Sequence, residues 1–469
     1  MNKLPEKPPD IIQQPLKNSV VTHYFENIEF KNSVDSYNER YLYWDDLTYR
    51  VVDEEERLRI WAAMKIFRSQ KMEDAPYRPL KMEYCITPPI QKSLHLFDRY
   101  LSGTIQIQNK TLRLDKRYII SSLIEEAISS SILEGAVTTR KKAREMIEQR
   151  KKPKNHGEQM VLNNFETLQL IIQKQSDILT PDLLLEIQRT VTKNTVYPED
   201  VGHFRERNDV RVVDTSTSIV LHTPPDYHEI EEYIVNLCEF ANTNDDEKFI
   251  HPIIKAIIIH FLIGYIHPFN DGNGRTARSL FYWYCLSHGY WLMEYLSISK
   301  NILKSRGKYA RAYLYTEYDG FDLTYFIRYQ IDCMNEALND LVSYIEEKQE
   351  QQKKASEMVR SNPNITPRQA EILSEMMESP NQVFTIFQIS DRFNVVYQTA
   401  RTDLMHLNDM GYIVKEKRGK GLFFYFNEMP KSPELRISLP LCYIMSTASE
   451  YFVIFLLDLI HIFRHLYTP

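Results

Sequence analysis

The chain has 469 residues with 43% hydrophobic and 26% charged side chains, a composition typical of globular proteins and long enough for two or three domains. Its formal net charge of −6 excludes a global electrostatic attraction to nucleic acid or to membranes. Only 13 glycines stand beside 30 tyrosines and 22 phenylalanines, which favours a mainly α-helical protein with an aromatic core.

The cysteines indicate a reducing environment. They are odd in number and scattered without the spacing of a metal site, at Cys85, Cys238, Cys285, Cys333 and Cys442. We recognise no secretory signal in the first residues of the sequence. We therefore expect a cytoplasmic protein.

The first 100 residues are predicted to form an N-terminal arm and a helical region. Residues 1–37 are rich in Pro, Lys and Asn, which predicts an extended arm. Apolar spacing over residues 54–69 predicts an amphipathic helix, and prolines between positions 76 and 89 predict loops after it. The residues of this region indicate no chemistry.

The core is predicted to span residues 101–360, and it contains an informative helix over about 117–135. Isoleucines and leucines recur there at helical spacing, and Gly135 ends the pattern as a C-cap. Ser130 and Glu134 are four positions apart and share a helix face, so the carboxylate could reach an arginine elsewhere. The alternative is that Glu134 is a solvent-facing charge near a helix end.

Two helices joined by a short polar loop are predicted over residues 253–288. The apolar run 253–266 has helical spacing and stops where Pro268 prevents the helix from continuing. A second apolar run begins at Thr276 and ends before Gly289. The loop and its flanks read His-Pro-Phe-Asn-Asp-Gly-Asn-Gly-Arg-Thr-Ala-Arg, residues 267–278.

This loop has the residues of an anion site. The glycines at 272 and 274 let successive backbone N–H groups point inward, and the following helix adds its dipole. Arg275 and Arg278 are three positions apart, so both can face the anion. Asp271 supplies a hard carboxylate suited to Mg²⁺ on phosphates. His267, whose unperturbed pKa is near ~6.5, can accept a proton from a hydroxyl.

The combination predicts phosphoryl or nucleotidyl transfer to a hydroxyl group. The alternative is a simple turn between core helices, in which His267 is a satisfied histidine at a helix end.

The stretch resembles the active-site motif of Fic-domain proteins, HPFx(D/E)GNGRxxR, and matches it at every defined position. It is similar to the AMP-transferring branch rather than to the Doc branch. The resemblance implies that AMP passes from ATP to a Tyr, Thr or Ser hydroxyl of a protein, or of this chain itself. The roles it implies are a base at His267, a Mg²⁺ ligand at Asp271, a phosphate cradle at Gly272, Asn273 and Gly274, a brace at Arg275 and a γ-phosphate ligand at Arg278.

Residues 130–135 resemble the inhibitory motif (S/T)xxxE(G/N) of self-restrained Fic proteins. The resemblance implies that Glu134 pairs with Arg278 and displaces the phosphates of ATP, so that attack cannot be in line. An alternative function uses the same site in reverse, with Glu134 orienting a water that removes AMP from a modified protein.

A β-hairpin is predicted over residues 210–221, which are rich in β-branched side chains. Residues 202–205 resemble the GxxR element that precedes the flap, the β-hairpin beside the catalytic loop of Fic-domain proteins. Residues 222–225 resemble the end of that flap. An exposed strand edge can pair with a segment of a substrate protein. We therefore expect substrate positioning by Arg205, Leu221, His222 and Thr223, the alternative being a surface hairpin with no such function.

Residues 361–430 resemble a winged helix-turn-helix. Helices are predicted over 367–377, 385–393 and 397–410, and a two-stranded wing over 412–417 and 422–426. The third helix and the wing could bind DNA, but acidic residues cancel the basic ones, so protein interaction or dimerisation is an equal alternative. In a third interpretation of the chain, it is a DNA-binding regulator whose Fic core senses nucleotide.

Residues 431–469 form an apolar tail whose longest hydrophobic run is too short for a confident membrane span. A terminal helix packed on the body is favoured over membrane contact.

Overall fold

The computed structural model describes residues 4–10, 17–102, 106–107, 110–111, 116–214, 217–243, 248–361, 364–378, 382–418 and 421–427. They form two compact units that divide between Leu341 and Val342. The prediction of a mainly helical fold is confirmed. The predicted apolar tail and Cys442 lie outside the described residues.

The first unit begins with helices that surround an aromatic core. Arg68 is buried in this core, where it donates hydrogen bonds to the Tyr325 hydroxyl and the Leu42 carbonyl, both at 2.8 Å. A short antiparallel hairpin, β1 and β2, follows the helices. The elements are α1 Lys17–Glu26, α2 Ile28–Glu39, α3 Trp44–Leu47, α4 Glu54–Ser69, β1 Glu73–Ala75, β2 Met82–Tyr84 and α5 Pro88–Leu101.

The prediction of an extended arm is wrong for residues 17–37, which lie in α1 and α2. Asn27 caps α2, because its side chain accepts hydrogen bonds from the backbone N–H groups of Glu29 and Phe30. Val20, Phe30 and Val34 are buried against the rest of the aromatic core. Tertiary packing therefore outweighs the weak helix propensity of this polar segment.

The rest of the first unit is built around the consecutive helices α11 and α12. Helix α11 is buried on all sides from Ile253 to Ile263, as expected for a helix that is apolar all round. Helices α8 and α9 pack on α12, and α6 packs on α8. The elements are β3 Gln106–Ile107, β4 Lys110–Thr111, α6 Lys116–Leu133, α7 Arg140–Glu148, α8 His156–Gln173, α9 Pro181–Thr192, β5 Val212–Val213, β6 Val220–His222, α10 Ile230–Asn242, α11 Pro252–Ile266, α12 Asn273–Ser287, α13 Ile298–Lys304, α14 Arg306–Tyr318 and α15 Thr324–Ser361.

The predicted hairpin at residues 210–221 is confirmed, although its strands are short. Strands β5 and β6 are antiparallel, and Val212 is paired with His222. The register shifts by an irregularity between Val212 and Val213. The informative helix α6 ends at Leu133, and Gly135 adopts φ +89°, as its C-cap role requires.

The described part of the second unit contains the end of α15, three further helices and a small antiparallel sheet with strand order β7-β9-β8. The wing was predicted with two strands, and β7 is a third, placed just before α17. Arg368 of α16 pairs with the buried Asp403 of α18 at 2.6 Å. The elements are α16 Pro367–Glu378, β7 Phe384–Thr385, α17 Ile386–Arg392, α18 Tyr397–Asp409, β8 Ile413–Arg418 and β9 Gly421–Phe426. None of the helices described here, in either unit, has the length and apolar character needed to cross a membrane.

Candidate functional site

The loop between α11 and α12 is fixed by local backbone geometry. His267 caps α11 in the left-handed conformation, with φ +49° and ψ +57°, and Pro268 prevents further helix. Gly272, with φ +88°, is the N-cap of α12. The Asn273 side chain closes the loop, since it accepts from Phe269 N at 2.9 Å and donates to Phe269 O at 2.8 Å.

The first turn of α12 presents unpaired backbone donors. Among the described residues, no acceptor is found for the N–H groups of Asn273, Gly274 and Arg275, as is usual at a helix N-terminus. The Glu134 carboxylate lies next to this turn: a Cβ built on Gly274 would meet Glu134 Oε1 at 2.2 Å. An acidic group therefore lies at the positive end of α12, where the helix dipole favours negative charge.

Arg278 of α12 is held by Ser130 of α6 and by Glu134, the residue that follows the end of α6. Its Nε donates to Ser130 Oγ at 2.8 Å, and its Nη2 donates to Ser130 O at 3.0 Å and to Glu134 Oε1 at 2.9 Å. Arg278 is only 1% exposed. Burial raises the pKa of Glu134, but Arg278 and then Arg275 outweigh burial, so the pKa of Glu134 lies below its ordinary value. Glu134 is thus an ionised partner of the buried Arg278, and its own side chain remains 34% exposed to solvent.

His267 carries a free ring nitrogen in the form that a base requires. Its Nδ1 lies 3.2 Å from Gly264 O, and because a carbonyl can only accept, Nδ1 carries the proton. Nε2 then has the lone pair, and no partner for it is found in the described part of the chain. Burial lowers the pKa of His267 to about 4, so the ring is neutral at pH 7.

The terminal nitrogens of Arg275 hold the loop in place. They bond to protein oxygens and do not point to the position of the anion. Nη2 donates to Asp271 Oδ1 at 2.8 Å, and Nη1 donates to Val191 O at 3.0 Å. Arg275 is buried, whereas the Asp271 side chain is half-exposed. The expectation that both arginines face the anion therefore holds by geometry only for Arg278.

Asp271 is compatible with a magnesium ion that is held mainly by phosphates. No cluster of three or more His, Cys, Asp or Glu side chains able to hold a metal occurs among the described residues. Mg²⁺ in nucleotide sites needs only one or two carboxylates, because phosphate oxygens and water complete its shell. Arg275 orients Oδ1 of Asp271, which leaves Oδ2 for such an ion.

Arg205 joins the loop to both ends of the hairpin. Its N donates to Pro268 O at 2.8 Å and its Nε to His267 O at 2.9 Å. Its other nitrogens reach the carbonyls of Arg207 and Pro225. Because Arg205 is 3% exposed, it fixes the base of the hairpin and does not extend toward an incoming molecule.

His222 fastens strand β6 to the body of the unit. Its Nε2 lies 2.7 Å from Tyr265 O, and its Nδ1 lies 2.8 Å from Glu317 Oε2 of α14. Both ring nitrogens face oxygens, and Nε2 donates to the Tyr265 carbonyl, which can only accept. Of the other two residues expected to position a substrate, Thr223 is exposed and Leu221 is half-buried.

Two residues of the site escaped sequence reasoning. Gln188 of α9 donates to Asp271 O at 3.2 Å and accepts from Gly202 N, so it links the loop at Asp271 to the segment at Gly202. Glu317 lies 95 positions from His222. Neither belongs to a motif, and only the three-dimensional arrangement brings them to the loop.

Residues 178–285 match the model of the Fic/DOC family. They form a Fic/DOC family domain. The Fic domain match contains His267, Arg278 and Arg205 but begins after Glu134, which reaches the site from α6. Residues 368–423 match a helix-turn-helix domain model, which confirms the resemblance of the second unit.

Two curated relatives of this chain share one protein name. The chain is 32% identical over 174 residues to "Protein adenylyltransferase Fic" of Nematostella vectensis, covering 35% of this chain and 38% of the relative. It is 27% identical over 255 residues to the protein of that name from Aedes aegypti, covering 53% of this chain and 47% of the relative. The chain therefore spans less than half of the length of either relative. A Fic family protein from Desulfovibrio desulfuricans G20 is similar in structure, with a TM-score of 0.48 and 19% identity over 74% of this chain and 99% of that one.

Replacing Gly272 with alanine is expected to destabilise the Fic domain by about 1–3 kcal/mol, because alanine is strained at positive φ. The new Cβ would also meet Thr192 Cγ2 at 2.8 Å. Urea unfolding followed by tryptophan fluorescence measures this, since all four tryptophans lie before residue 342. Gly307→Ala is the control: Gly307 is helical and a Cβ there meets nothing within 4 Å. Equal unfolding free energies for Gly272→Ala and wild type would contradict the strained role of Gly272.

Replacing Glu317 with alanine is expected to loosen the hairpin. The variant loses a hydrogen bond to a charged group, a contribution of about 1.5 kcal/mol, so hydrogen exchange of the backbone in strands β5 and β6 should be roughly tenfold faster. Mass spectrometry after exchange in D₂O measures the rate. Glu231→Ala, at an exposed position of α10, is the matched control. Unchanged exchange in Glu317→Ala would show that His222 is held by Tyr265 alone.

Proposed function

We propose that the Fic domain transfers AMP from ATP to a Tyr, Thr or Ser hydroxyl of a protein, and that Glu134 restrains this transfer. One observation carries the proposal. Free backbone donors, the buried Arg278 and the neutral His267 converge on the position taken by the Glu134 carboxylate. A pocket that holds one anion beside an unprotonated imidazole suits a nucleotide and a hydroxyl nucleophile.

In this reaction His267 Nε2 accepts the proton of the attacking hydroxyl. The hydroxyl oxygen forms a bond to the α-phosphorus of ATP, the bond from that phosphorus to the bridging oxygen breaks, and pyrophosphate leaves. The left-handed backbone at His267 and the hydrogen bond from Nδ1 to Gly264 O fix the direction of the lone pair. Positioned proton transfer of this kind contributes about 10²–10⁴-fold to a rate.

The phosphates are bound by the first turn of α12 and by Arg278. The N–H groups of Asn273, Gly274 and Arg275 supply preorganised donors, whose dipoles need no rearrangement during the reaction. Arg275 keeps this turn in place through Asp271 and Val191. Asp271 would hold Mg²⁺, which supplies neutralisation of phosphate charge when bound.

Glu134 restrains the reaction by competing with ATP for Arg278. Its carboxylate lies against Gly274 and bonds to Arg278, so a γ-phosphate cannot bind this arginine until Glu134 moves. A triphosphate bound without Arg278 is displaced from the line of attack. Hydrolytic removal of AMP, the reverse use of the same site, is the second candidate, because the Glu134 carboxylate lies near His267 and contributes to its pKa. In that reaction a water oriented by Glu134 would form a bond to the phosphorus of the protein-bound AMP, the bond from that phosphorus to the side-chain oxygen would break, and AMP and the protein hydroxyl would be released.

The hairpin would present the substrate protein. Val213 of β5 and Val220 of β6 are exposed apolar side chains, 40% and 46% accessible. A strand edge with apolar side chains can pair with an extended segment and hold its hydroxyl in register. His222 and Arg205 keep this edge at a fixed position relative to His267.

DNA remains a predicted partner of the second unit. Helix α18 exposes Tyr397, Gln398 and Arg401, and β8 exposes Lys415 and Lys417. These are residue types that contact bases and phosphates. The protein-interaction alternative uses the same surface.

His267→Ala is expected to abolish transfer while ATP binding persists, because the phosphate donors belong to other residues. The loss should be about 10²-fold or greater. AMP incorporation from α-labelled ATP and calorimetric ATP binding measure the two quantities on the same preparation. His228→Ala, at an exposed histidine, is the control. Full transfer by His267→Ala would remove the proposed base.

Glu134→Gly is expected to raise self-modification roughly tenfold or more, because Arg278 loses a charged hydrogen bond of about 1.5–3 kcal/mol. Side-by-side labelling with α-labelled ATP tests this, and mass spectrometry locates the added AMP. Glu148→Gly, at an exposed glutamate on α7, controls for the introduction of glycine. Equal labelling of wild type and Glu134→Gly would remove the restraint. Loss of AMP removal in the same variant would support the reverse reaction.

A further inference from the structure

Glu126 of α6 is a buried carboxylate that the reaction proposed above does not use. The residue is only 2% exposed. It lies four positions before Ser130 and eight before Glu134. Because residues four apart share a helix face, Glu126 lies on the side of α6 from which Ser130 contacts Arg278.

Three donors from the start of α13 bind the Glu126 carboxylate. Its Oε2 accepts from Ser299 N at 2.9 Å and from Ser297 Oγ at 3.0 Å, and its Oε1 accepts from Ser299 Oγ. Ser299 is fully buried, so loss of the carboxylate would leave a buried N–H without its acceptor, which is costly. Glu126 therefore fastens α6 to residues 297–299.

The same segment is also fastened to α12, one helical turn beyond Arg278. Tyr282 of α12 donates to Leu296 O at 3.1 Å and accepts from Ile298 N at 3.0 Å. Tyr282 is four positions after Arg278, which corresponds to about 6 Å along the helix. Residues 296–299 thus connect α6 to the helix that carries this arginine.

The two carboxylates differ in how firmly they are held. Burial raises the pKa of Glu126, although the Ser299 hydroxyl and amide and then Arg278 act against burial. Glu134 follows the end of α6, its side chain is 34% exposed, and Arg278 bonds to it at 2.9 Å. The Glu134 side chain can therefore exchange with a phosphate while Glu126 stays in place.

We propose that Glu126 is a positioning residue for the restraint: it holds α6 against α12 at the register in which Glu134 meets Arg278. Without this attachment the end of α6 shifts, the contact between Glu134 and Arg278 weakens, and ATP competes more readily for the arginine. Because Glu126 acts through Glu134, this role rests on the restraint proposed above.

Self-modification with α-labelled ATP tests this role in Glu126→Ala. We expect labelling to rise roughly threefold or more over wild type, because Glu134 is less well placed. Glu126→Gln should stay within about twofold of wild type. Its amide oxygen can accept from Ser299 N and Ser297 Oγ, and its amide N–H can donate to Ser299 Oγ.

Two comparisons separate positioning from a general loosening of the helix. Glu125→Ala is the matched control, since Glu125 is the adjacent residue of α6 but pairs with Arg140 of α7. Its labelling should stay within about twofold of wild type. In a Glu134→Gly background, Glu126→Ala should bring no further gain, because the contact that it supports is already gone.

Nucleotide affinity gives a readout that needs no transfer. Calorimetric titration with ATP and with ADP, both in the His267→Ala background, yields the ratio of the two affinities. Glu126→Ala should raise this ratio roughly threefold or more, because only ATP has the γ-phosphate that gains from a released Arg278. If Glu126→Ala fails to fold, Ser299→Ala removes one of the three donors and should raise labelling and the ratio about twofold.

Wild-type labelling or an unchanged affinity ratio in folded Glu126→Ala, or in Ser299→Ala where it takes the place of that variant, would overturn the positioning role. Equal gains in Glu125→Ala and Glu126→Ala, equal gains with and without Glu134, or equal release by Glu126→Gln and Glu126→Ala would also overturn it. If Glu134→Gly raises neither labelling nor the ratio, the restraint itself fails. If Glu134→Gly raises both and Glu126→Ala raises neither, only the positioning role fails.

Discussion

The guanidinium of Arg278 joins two helices that are far apart in the sequence. Ser130 and Glu134 approach it from α6, and its own helix α12 begins with the free amides that Glu134 faces. Arg278 is buried, so loss of Glu134 would leave a poorly solvated positive charge. This contact therefore links α6 and the residue that follows it to the first turn of α12 and to the position of the anion.

The loop at residues 267–278 was predictable because its shape is encoded locally. Pro268 ends α11, and Gly272 adopts a positive φ that few other residues tolerate. The partners of Arg275 were not predictable, since one of them is the carbonyl of Val191, 84 positions away. Spacing along a helix gives the direction of a side chain, but it does not say which oxygen from another helix arrives there.

The prediction from composition was wrong for residues 17–37, and the prediction for the wing missed one strand. Residues 17–37 are polar on average, yet Val20, Phe30 and Val34 recur on a buried face, which decides the conformation. Strand β7 has two residues, too few for an alternating pattern to be recognised, and pairs with β9 only in the folded unit. In both places the contacts that decide the conformation come from residues distant in the sequence, which a local sequence pattern does not include.

Gly274 has no space for a side chain. A methyl group there would meet Glu134 Oε1 at 2.2 Å and Arg278 Nη1 at 3.1 Å. Any amino-acid substitution at this position thus disturbs Glu134 and Arg278 together, and it cannot affect one without the other. A lineage that kept the nucleotide pocket while discarding the acidic contact would have to do so at Glu134 itself, just after α6, so natural variation in that contact is expected there and not in α12.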